Sequence, residues 1–562
     1  MKKIFYIILA VLFTAGCHYL DFDETSGART HDDMYATYSN IQKMLTNIYG
    51  YMPNKDIVDI SEAMRDCGCD DAEFGDPDAS VQRFGNGNWS AYSTVDTKWT
   101  YFNAIRSANE FLESMKTIDL SMYQYADDYP KQKAQIDLYP YQARVLRAFY
   151  LFELARRYKD IPVPEGMLTV EEANSIGKTP FDDVIKLIAD ECDTCAKYLP
   201  ANYMTDQLGK EYGRVTKGFA LALKAKAMLY AASPLFNESQ DAEKWKKAGE
   251  AAKKVMDLNL YSLDPAEKAN SASSKEVILQ ITRPESQSFE KYNFPIDFVN
   301  GKRTSMSGTY PTQNLVDAFQ TLGGYDITLT AEGWQTADPA FDITKPYTGR
   351  DPRFARAVLA DGMYFKGRQI QTYEGGKDYS ATRNDLGSPT GYYLRKYIQE
   401  ETSFESENSK SYKHSWIISR YAEIILGYAE AVNEYLGPDA TDEVFTISAR
   451  EALNQIRTNA GMPPVTAAKA ASKEDFREAV RREWRVEFAF EDHRFWDVRR
   501  WKIGPDTQVN INAVQITKNG SQKEYKLYPL EIRSWADKMY LYPIPQQEIF
   551  NNPNLNPQNT GW

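Results

Sequence analysis

Residues 481–501 carry the densest group of side chains that could do acid–base chemistry. Glu483 and Glu487 lie four residues apart, so they share one face of a helix, and Arg481 and Arg485 have the same spacing. Two carboxylates about 5–10 Å apart could hydrolyse a glycosidic bond. Here each acid is interleaved with an arginine, which is more typical of a salt-bridged structural network. We therefore predict a structural role for this block and no catalytic residue.

The segment from Arg83 to Tyr92 (RFGNGNWSAY) is the first candidate for ligand binding. Gly and Asn make it irregular, and Trp89 and Tyr92 lie where no helical period requires a core residue. An exposed aromatic ring can stack on the apolar face of a sugar ring while an Arg side chain bonds to hydroxyl groups. Alternatively, Trp89 fills a small core beneath a long loop. The sequence leaves both interpretations open.

Other irregular segments supply further candidate ligand contacts, namely Tyr292, Arg303 and Trp334. The four histidines do not cluster with the cysteines, and no four-ligand zinc set is present. Cys67 and Cys69, like Cys192 and Cys195, are interpreted as structural or incidental, and their oxidation state stays open. No GxxxxGK[ST] phosphate loop occurs. We expect no metal and no cofactor.

The first seventeen residues predict the location of the protein. Lys2 and Lys3 supply positive charge, residues 4–13 are apolar, and Thr14-Ala15-Gly16 leads into Cys17. This pattern is typical of a secretory signal, and the cysteine indicates a lipoprotein signal (residues 1–16) with lipidation of Cys17. Thr14 lies three residues before Cys17, at a position where lipoprotein signals usually have leucine. An ordinary signal peptide with an accidental cysteine is the alternative.

Composition limits the class of partner. The formal net charge of −12 argues against a nucleic-acid partner, because phosphate binding needs a basic face. Aromatic residues make up 13% of the chain, which suits the stacking of sugar rings or, equally, the filling of helix interfaces.

Hydrophobic periodicity predicts a mainly α protein. Helices are expected at about 33–52, 97–117, 133–158, 180–198, 216–233, 241–257, 416–436, 444–459 and 474–491. Residues 53–96 and 262–400 lack this periodicity and are predicted to form long loops. Binding residues tend to lie in such loops. Helix pairs of this length suggest stacked helix–turn–helix units similar to tetratricopeptide (TPR) repeats.

Several sequence blocks together carry a family resemblance. They are WTYFNAI (99–105), LRAFY (146–150), GRVTKG (213–218), PTQNLVDAF (311–319), YTGRDPRF (347–354), RYAEIIL (420–426), REWRVEFAFE (482–491), RFWDVRRW (494–501) and NPQNTGW (556–562). The chain resembles the SusD/RagB family of outer-membrane nutrient-uptake lipoproteins of Bacteroidetes. The resemblance implies four TPR-like helix pairs, an irregular ligand-binding half and no catalysis. It also implies a SusC-like TonB-dependent transporter as partner and a glycan, or in some branches a peptide, as ligand.

The resemblance sets the expected layout. A lipidated tether (17–30) precedes one domain (31–562), with a helical scaffold at about 31–260 and 416–505, an irregular binding half at about 53–96 and 262–415, and a tail at 506–562. Asp71 joins the candidate site residues because many relatives carry an acidic pair there. The expected protein is lipid-anchored at the cell surface, and an extracellular glycoside hydrolase or a protein-binding adaptor is the alternative.

Overall fold

The computed structural model describes residues 34–53, 60, 63–265, 268–299, 301, 306–381 and 386–562. The predicted lipidation site Cys17 and the candidate ligand contact Arg303 lie outside the described residues.

The longer helices follow the predicted order. They are α1 (Tyr38–Tyr49), α2 (Tyr101–Ser114), α3 (Tyr129–Ile136), α4 (Tyr139–Tyr158), α5 (Phe181–Cys195), α6 (Lys217–Ala232), α7 (Ala242–Met256), α8 (Tyr421–Tyr435), α9 (Ala449–Asn459), α10 (Lys473–Glu487) and α11 (Arg494–Arg500). Short helices lie at Gln82–Asn86, Val170–Ala173, Ser288–Asn293, Gln313–Ala318, Phe354–Ala357, Gly504–Thr507 and Gln546–Asn551.

Local sequence explains where several of these helices begin. The Thr216 side chain accepts a hydrogen bond from the backbone N–H of Phe219 at the start of α6, and Ser448 forms a capping box with Glu451 at the start of α9. The single helix predicted over 133–158 is instead two helices. Pro140 lies in the first turn of α4, where its missing N–H costs nothing, so α3 ends before it.

The helices pack in sequence. α2 contacts α4, α4 contacts α5, α5 contacts α6, α6 contacts α7, and α7 contacts α8, which also packs against α9 and α10. The mainly helical class and the stacked helix pairs predicted from periodicity are confirmed.

The strands of the described residues form antiparallel pairs. They are β1 (Ala72–Phe74), β2 (Val277–Ser286), β3 (Thr309–Pro311), β4 (Ile327–Thr330), β5 (Gly333–Thr336), β6 (Val358–Leu359), β7 (Tyr364–Phe365), β8 (Arg368–Gln369), β9 (Tyr393–Leu394), β10 (Tyr412–Arg420), β11 (Asn510–Asn519) and β12 (Gln522–Ile532). The pairs are β1–β3, β2–β10, β4–β5, β6–β9, β7–β8 and β11–β12.

One predicted boundary in this part of the chain is wrong. The helix expected from residue 416 begins at Tyr421, because residues 412–420 pair with β2 across more than 120 residues of sequence. The segment 506–562, predicted as a C-terminal tail, contains the long β11–β12 hairpin.

The charged block at the end of α10 is a buried ion-pair network, as predicted. Arg353 Nη1 lies 2.6 Å from Glu483 Oε1 and 2.9 Å from Glu487 Oε2. Arg457 also pairs with Glu483, at 2.9 Å. Both carboxylates are therefore held by arginines brought from other elements, and the network ties α10 to the irregular half.

Candidate functional site

Trp89 does not face solvent. Its side chain is 4% exposed and packs against the rings of Phe84, Tyr542 and Trp562, with centroid distances of 5.1, 5.3 and 4.5 Å. The expectation that Trp89 stacks on a ligand is wrong for this structure, and the alternative of a small core beneath the loop is confirmed. The C-terminal segment supplies two of the three rings that cover it.

Arg83 lies in the short helix Gln82–Asn86, where an irregular segment was predicted, and Tyr92 lies in the loop that follows; the two differ in role. The Arg83 guanidinium donates to the Asn88 carbonyl (2.8 Å), to Ser93 Oγ (2.6 Å) and to the Ser93 carbonyl, so it holds the loop together. Tyr92 is 79% exposed and remains able to contact a ligand.

Asp71 is part of a second buried ion-pair cluster. Arg485 Nε lies 2.7 Å from Asp71 Oδ1, while the adjacent Asp70 accepts from Arg494 Nε at 2.8 Å. Burial favours neutral Asp70, but Arg485 and Arg494 outweigh it and lower its pKa. Because Asp71 is fully buried, its carboxylate is structural and offers no contact to a ligand.

Trp334 and Tyr292 lie apart from the Arg83–Tyr92 loop. Trp334, on β5, is 7% exposed, contacts Tyr347 edge-on at 5.9 Å and has the Arg350 guanidinium 5.4 Å from its ring, so its predicted stacking role is also wrong. Tyr292 is half-buried at the end of the Ser288–Asn293 helix, where its carbonyl lies against Gly308. Of the predicted site residues that the structure describes, Trp89, Asp71 and Trp334 are buried, so they do not together line an open cleft.

An open groove of about 280 Å³ lies instead between the β11–β12 hairpin and residues 372–381 and 388–391. Its lining includes two tyrosines, three hydroxyl side chains and one amide, namely Tyr379, Tyr528, Thr372, Ser380, Ser388 and Gln515. Tyr528 projects from β12 and is 49% exposed, so part of its ring is open to solvent. We call this the hairpin groove.

Backbone contacts fix the shape of the hairpin groove. The Val514 N–H donates to the Thr390 carbonyl at 3.0 Å, and the Glu374 N–H donates to the Ile516 carbonyl at 2.9 Å. Gly391 has φ +82°, and a Cβ there would lie 2.6 Å from Val514 Cγ1. Only glycine allows the hairpin to approach this closely.

The polar groups of the hairpin groove suit a neutral ligand with hydroxyl groups. Asp378 accepts two bonds from Arg368, at 2.7 and 2.8 Å, so its charge is already balanced. Thr372 Oγ1 is buried and has no hydrogen-bond partner among the described residues. An aromatic face beside hydroxyl and amide groups can bind a sugar by stacking and hydrogen bonding.

Tyr528 and Gln515 are not among the predicted site residues, although the sequence carries a weak signal for their hairpin. Residues 524–527 (EYKL) alternate polar and apolar side chains, which is the period of a half-buried strand. Reading this stretch as a strand predicts the hairpin, but not which loop the hairpin packs against.

The described residues give no sign of a metal centre. No group of three or more His, Cys, Asp or Glu side chains among them could hold a metal ion. Cys67, Cys69, Cys192 and Cys195 are free and buried, and burial raises the pKa of each thiol. In the described part of the chain, no helix combines the length and the apolarity needed to cross a bilayer.

The model of the SusD family matches residues 267–562, more than half of the chain. This chain belongs to the SusD family. The matched range includes the residues on both sides of the hairpin groove.

Other SusD family proteins are similar over nearly the whole chain. SusD-like protein P2 of Formosa agariphila is 24% identical over 579 residues, covering 100% of this chain and 99% of that protein. A SusD-like protein of Bacteroides fragilis is 27% identical with a TM-score of 0.75, covering 95% of this chain and 99% of that one. A SusD-like carbohydrate binding protein, also of Bacteroides fragilis, is 23% identical with a TM-score of 0.71, covering 93% and 100%.

Proposed function

We propose that this protein binds glycans at the cell surface and delivers them to a SusC-like TonB-dependent transporter. The observation that carries the proposal is the hairpin groove, which lies within the residues matched by the SusD family and combines Tyr528 with hydroxyl and amide side chains. The carbohydrate-binding description of one solved relative supports the same ligand class.

Capture by the hairpin groove is equilibrium binding without chemistry. One face of a sugar ring packs on Tyr528, and Ser380 and Gln515 exchange hydrogen bonds with its hydroxyl groups. Each contact is modest, so we expect a Kd of about 1 μM or weaker, near −8 kcal/mol. Weak capture suits a protein that must release its ligand to a transporter.

Location and partner complete the proposal. Lipid on Cys17 would anchor the protein to the outer membrane, with residues 17–30 as the tether. The SusC-like transporter and the cell-surface position are implied by family membership, and co-purification of the two proteins from membranes tests them directly.

Calorimetric titration of residues 18–562 with neutral plant and host oligosaccharides tests glycan capture. We expect binding to one glycan class, and Tyr528→Ala should weaken it by about 1–3 kcal/mol, as for stacking of bases on aromatic side chains. Tyr125→Ala is the matched control, because Tyr125 is exposed but lies between α2 and α3, far from the groove in sequence.

Binding that is unaffected by Tyr528→Ala would contradict the assignment of the hairpin groove. Absence of binding to every glycan, together with binding of peptides, would overturn the glycan class and favour the peptide-uptake alternative.

A further inference from the structure

A larger groove of about 730 Å³ lies on the helical half of the molecule. Its floor is the C-terminal half of α8, one wall is α10, and the other wall is formed by residues 234–245 at the start of α7. None of its lining residues belongs to the hairpin groove. We call it the helical groove, and its volume is typical of small-molecule sites.

Two of the four acids that line the helical groove, Glu430 and Glu434, are already neutralised by arginines. Both carboxylate oxygens of Glu430 accept from Arg500, at 2.6 and 2.8 Å, and Trp501 Nε1 adds a third bond at 2.7 Å. Glu434 accepts two bonds from Arg477, at 2.7 and 2.6 Å. These acids therefore have little capacity to balance further positive charge.

Two cations in the helical groove, Arg481 and Lys502, lack a buried acidic partner. The Arg481 guanidinium lies 5.3 Å from the Trp501 ring and pairs with the solvent-exposed Glu478, at 2.9 Å, while its buried Nε–H has no acceptor among the described residues. Burial, with Arg477 nearby, lowers the pKa of Arg481. Lys502 lines the same groove, and its Nζ lies 5.9 Å from the Tyr540 ring rather than beside a described carboxylate. An anion here would stabilise both cations.

An amide and an indole ring add two further features. Asn433 is 1% exposed, and its Nδ2 donates to the Lys473 carbonyl at 3.0 Å, whereas its buried Oδ1 has no donor among the described residues. Trp245 is partly exposed on the opposite wall. A ligand with hydroxyl groups and a ring with an apolar face would use both features.

We propose that the helical groove is a second binding site, and that it takes an acidic oligosaccharide. The sugar carboxylate pairs with Arg481 and Lys502, a hydroxyl donates to Asn433 Oδ1, and one ring packs on Trp245. A carboxylate forms charge-assisted hydrogen bonds with a guanidinium, which neutral sugars cannot do. The inference goes beyond the proposed function because it assigns a separate site and a ligand charge.

Calorimetric titration of residues 18–562 with trigalacturonate and with its methyl ester tests the acidic-ligand site. We expect the acid to bind and the ester to bind at least about tenfold more weakly, because a hydrogen bond to a charged group contributes about 1.5–3 kcal/mol. Arg481→Gln should weaken binding of the acid to a similar degree. Lys502→Gln, at an exposed position that folding does not need, should weaken it and reduce its salt dependence.

Two controls separate this site from the hairpin groove and from general charge effects. Arg450→Gln removes an exposed arginine on α9 that pairs with Asp439, and it should leave binding of trigalacturonate unchanged. Tyr528→Ala should also leave it unchanged, whatever it does to neutral glycans. Equal binding of acid and ester would overturn the proposal. So would an unchanged affinity for trigalacturonate in both Arg481→Gln and Lys502→Gln, or no binding of trigalacturonate at all. So would Arg481-dependent binding of triglycine without binding of trigalacturonate, which would indicate a peptide carboxylate.

Discussion

Arg420 shows how this protein balances charge in its interior. The side chain is 1% exposed and bonds to Glu276 at 3.0 Å, to Glu487 at 2.8 Å and to Glu491 at 2.8 Å. One guanidinium thus joins the strand β10 to α10 and to the start of β2. A buried charge is tolerated only when paired and hydrogen-bonded, so each member depends on the others.

Arg420→Met should therefore strongly destabilise the protein. It leaves Glu276, Glu487 and Glu491 without their shared cation, and removing one partner of a buried pair costs about 3–5 kcal/mol. Urea unfolding measures the loss. Arg450→Gln, which breaks an exposed pair with Asp439, should cost about 0–1 kcal/mol, and equal losses in the two variants would contradict the network.

Asp317 should make stability depend on pH. Burial raises its pKa to about 6, although its Oδ1 accepts from Gln313 Nε2 at 2.6 Å and from the Leu329 N–H at 3.2 Å. The usual value is about 3.9, so the folded state binds this proton more tightly than the unfolded state does. The contribution of Asp317 to the free energy of unfolding therefore rises as the pH falls from about 7 to about 4.

Asp317→Asn tests the predicted direction of this pH dependence of the free energy of unfolding. The amide oxygen can still accept both hydrogen bonds but carries no charge, so the variant should be more stable than the parent at pH 8. The difference should shrink towards pH 4, where Asp317 is almost fully protonated in the folded state and about half protonated in the unfolded state. Urea unfolding at both pH values measures it, and a difference that does not change with pH would refute the argument.

At the scale of elements, the β11–β12 hairpin depends on one glycine. Gly391 has φ +82° and would place a Cβ 2.6 Å from Val514 Cγ1 and 2.9 Å from the Val514 carbonyl oxygen. Gly391→Ala should therefore destabilise the protein by about 1–3 kcal/mol and weaken glycan binding, because it displaces β11 from the groove wall.

Gly520→Ala is the matched control for Gly391. Gly520 also has positive φ, in the turn between β11 and β12, but a Cβ there meets no atom within 4 Å. Gly520→Ala should also lower the free energy of unfolding, because alanine is strained at positive φ, but it should leave glycan binding intact. Equal effects of both substitutions on binding, measured by calorimetry, would show that the close approach at Gly391 is unimportant.

The helices could be predicted because their signals are local. Apolar spacing, the N-terminal caps at Thr216 and Ser448, and the proline at the start of α4 lie within a few residues of what they determine. The strand β10 has no such signal, since its partner β2 lies more than 120 residues earlier. The prediction from periodicity alone therefore placed the start of α8 within β10, at about residue 416.

The candidate site was harder to predict because exposure is a property of the whole fold. Trp89 and Tyr92 occupy the same irregular loop, yet Trp562, at the far end of the chain, covers one and leaves the other open. The role of the acidic and basic residues in α10 was predictable, because alternating charges next to apolar residues already indicate pairing. Their partners, such as Arg353, were not.

At the scale of the molecule, the helical and irregular halves differ in how they are built. Stacked helices bury the apolar faces that sequence periodicity predicts, whereas the irregular half uses short strand pairs and buried ions to hold its loops. A rigid helical scaffold beneath variable loops is an arrangement in which ligand specificity can change without loss of the fold.

A crystal structure of residues 18–562 with the neutral oligosaccharide that binds most tightly tests the central claim most directly. We expect a sugar ring packed on Tyr528, with hydroxyl groups in hydrogen-bonding distance of the Ser380 or Gln515 side chains. A neutral sugar bound only at Tyr92, or only in the helical groove, would contradict the assignment of the hairpin groove as the glycan-binding site.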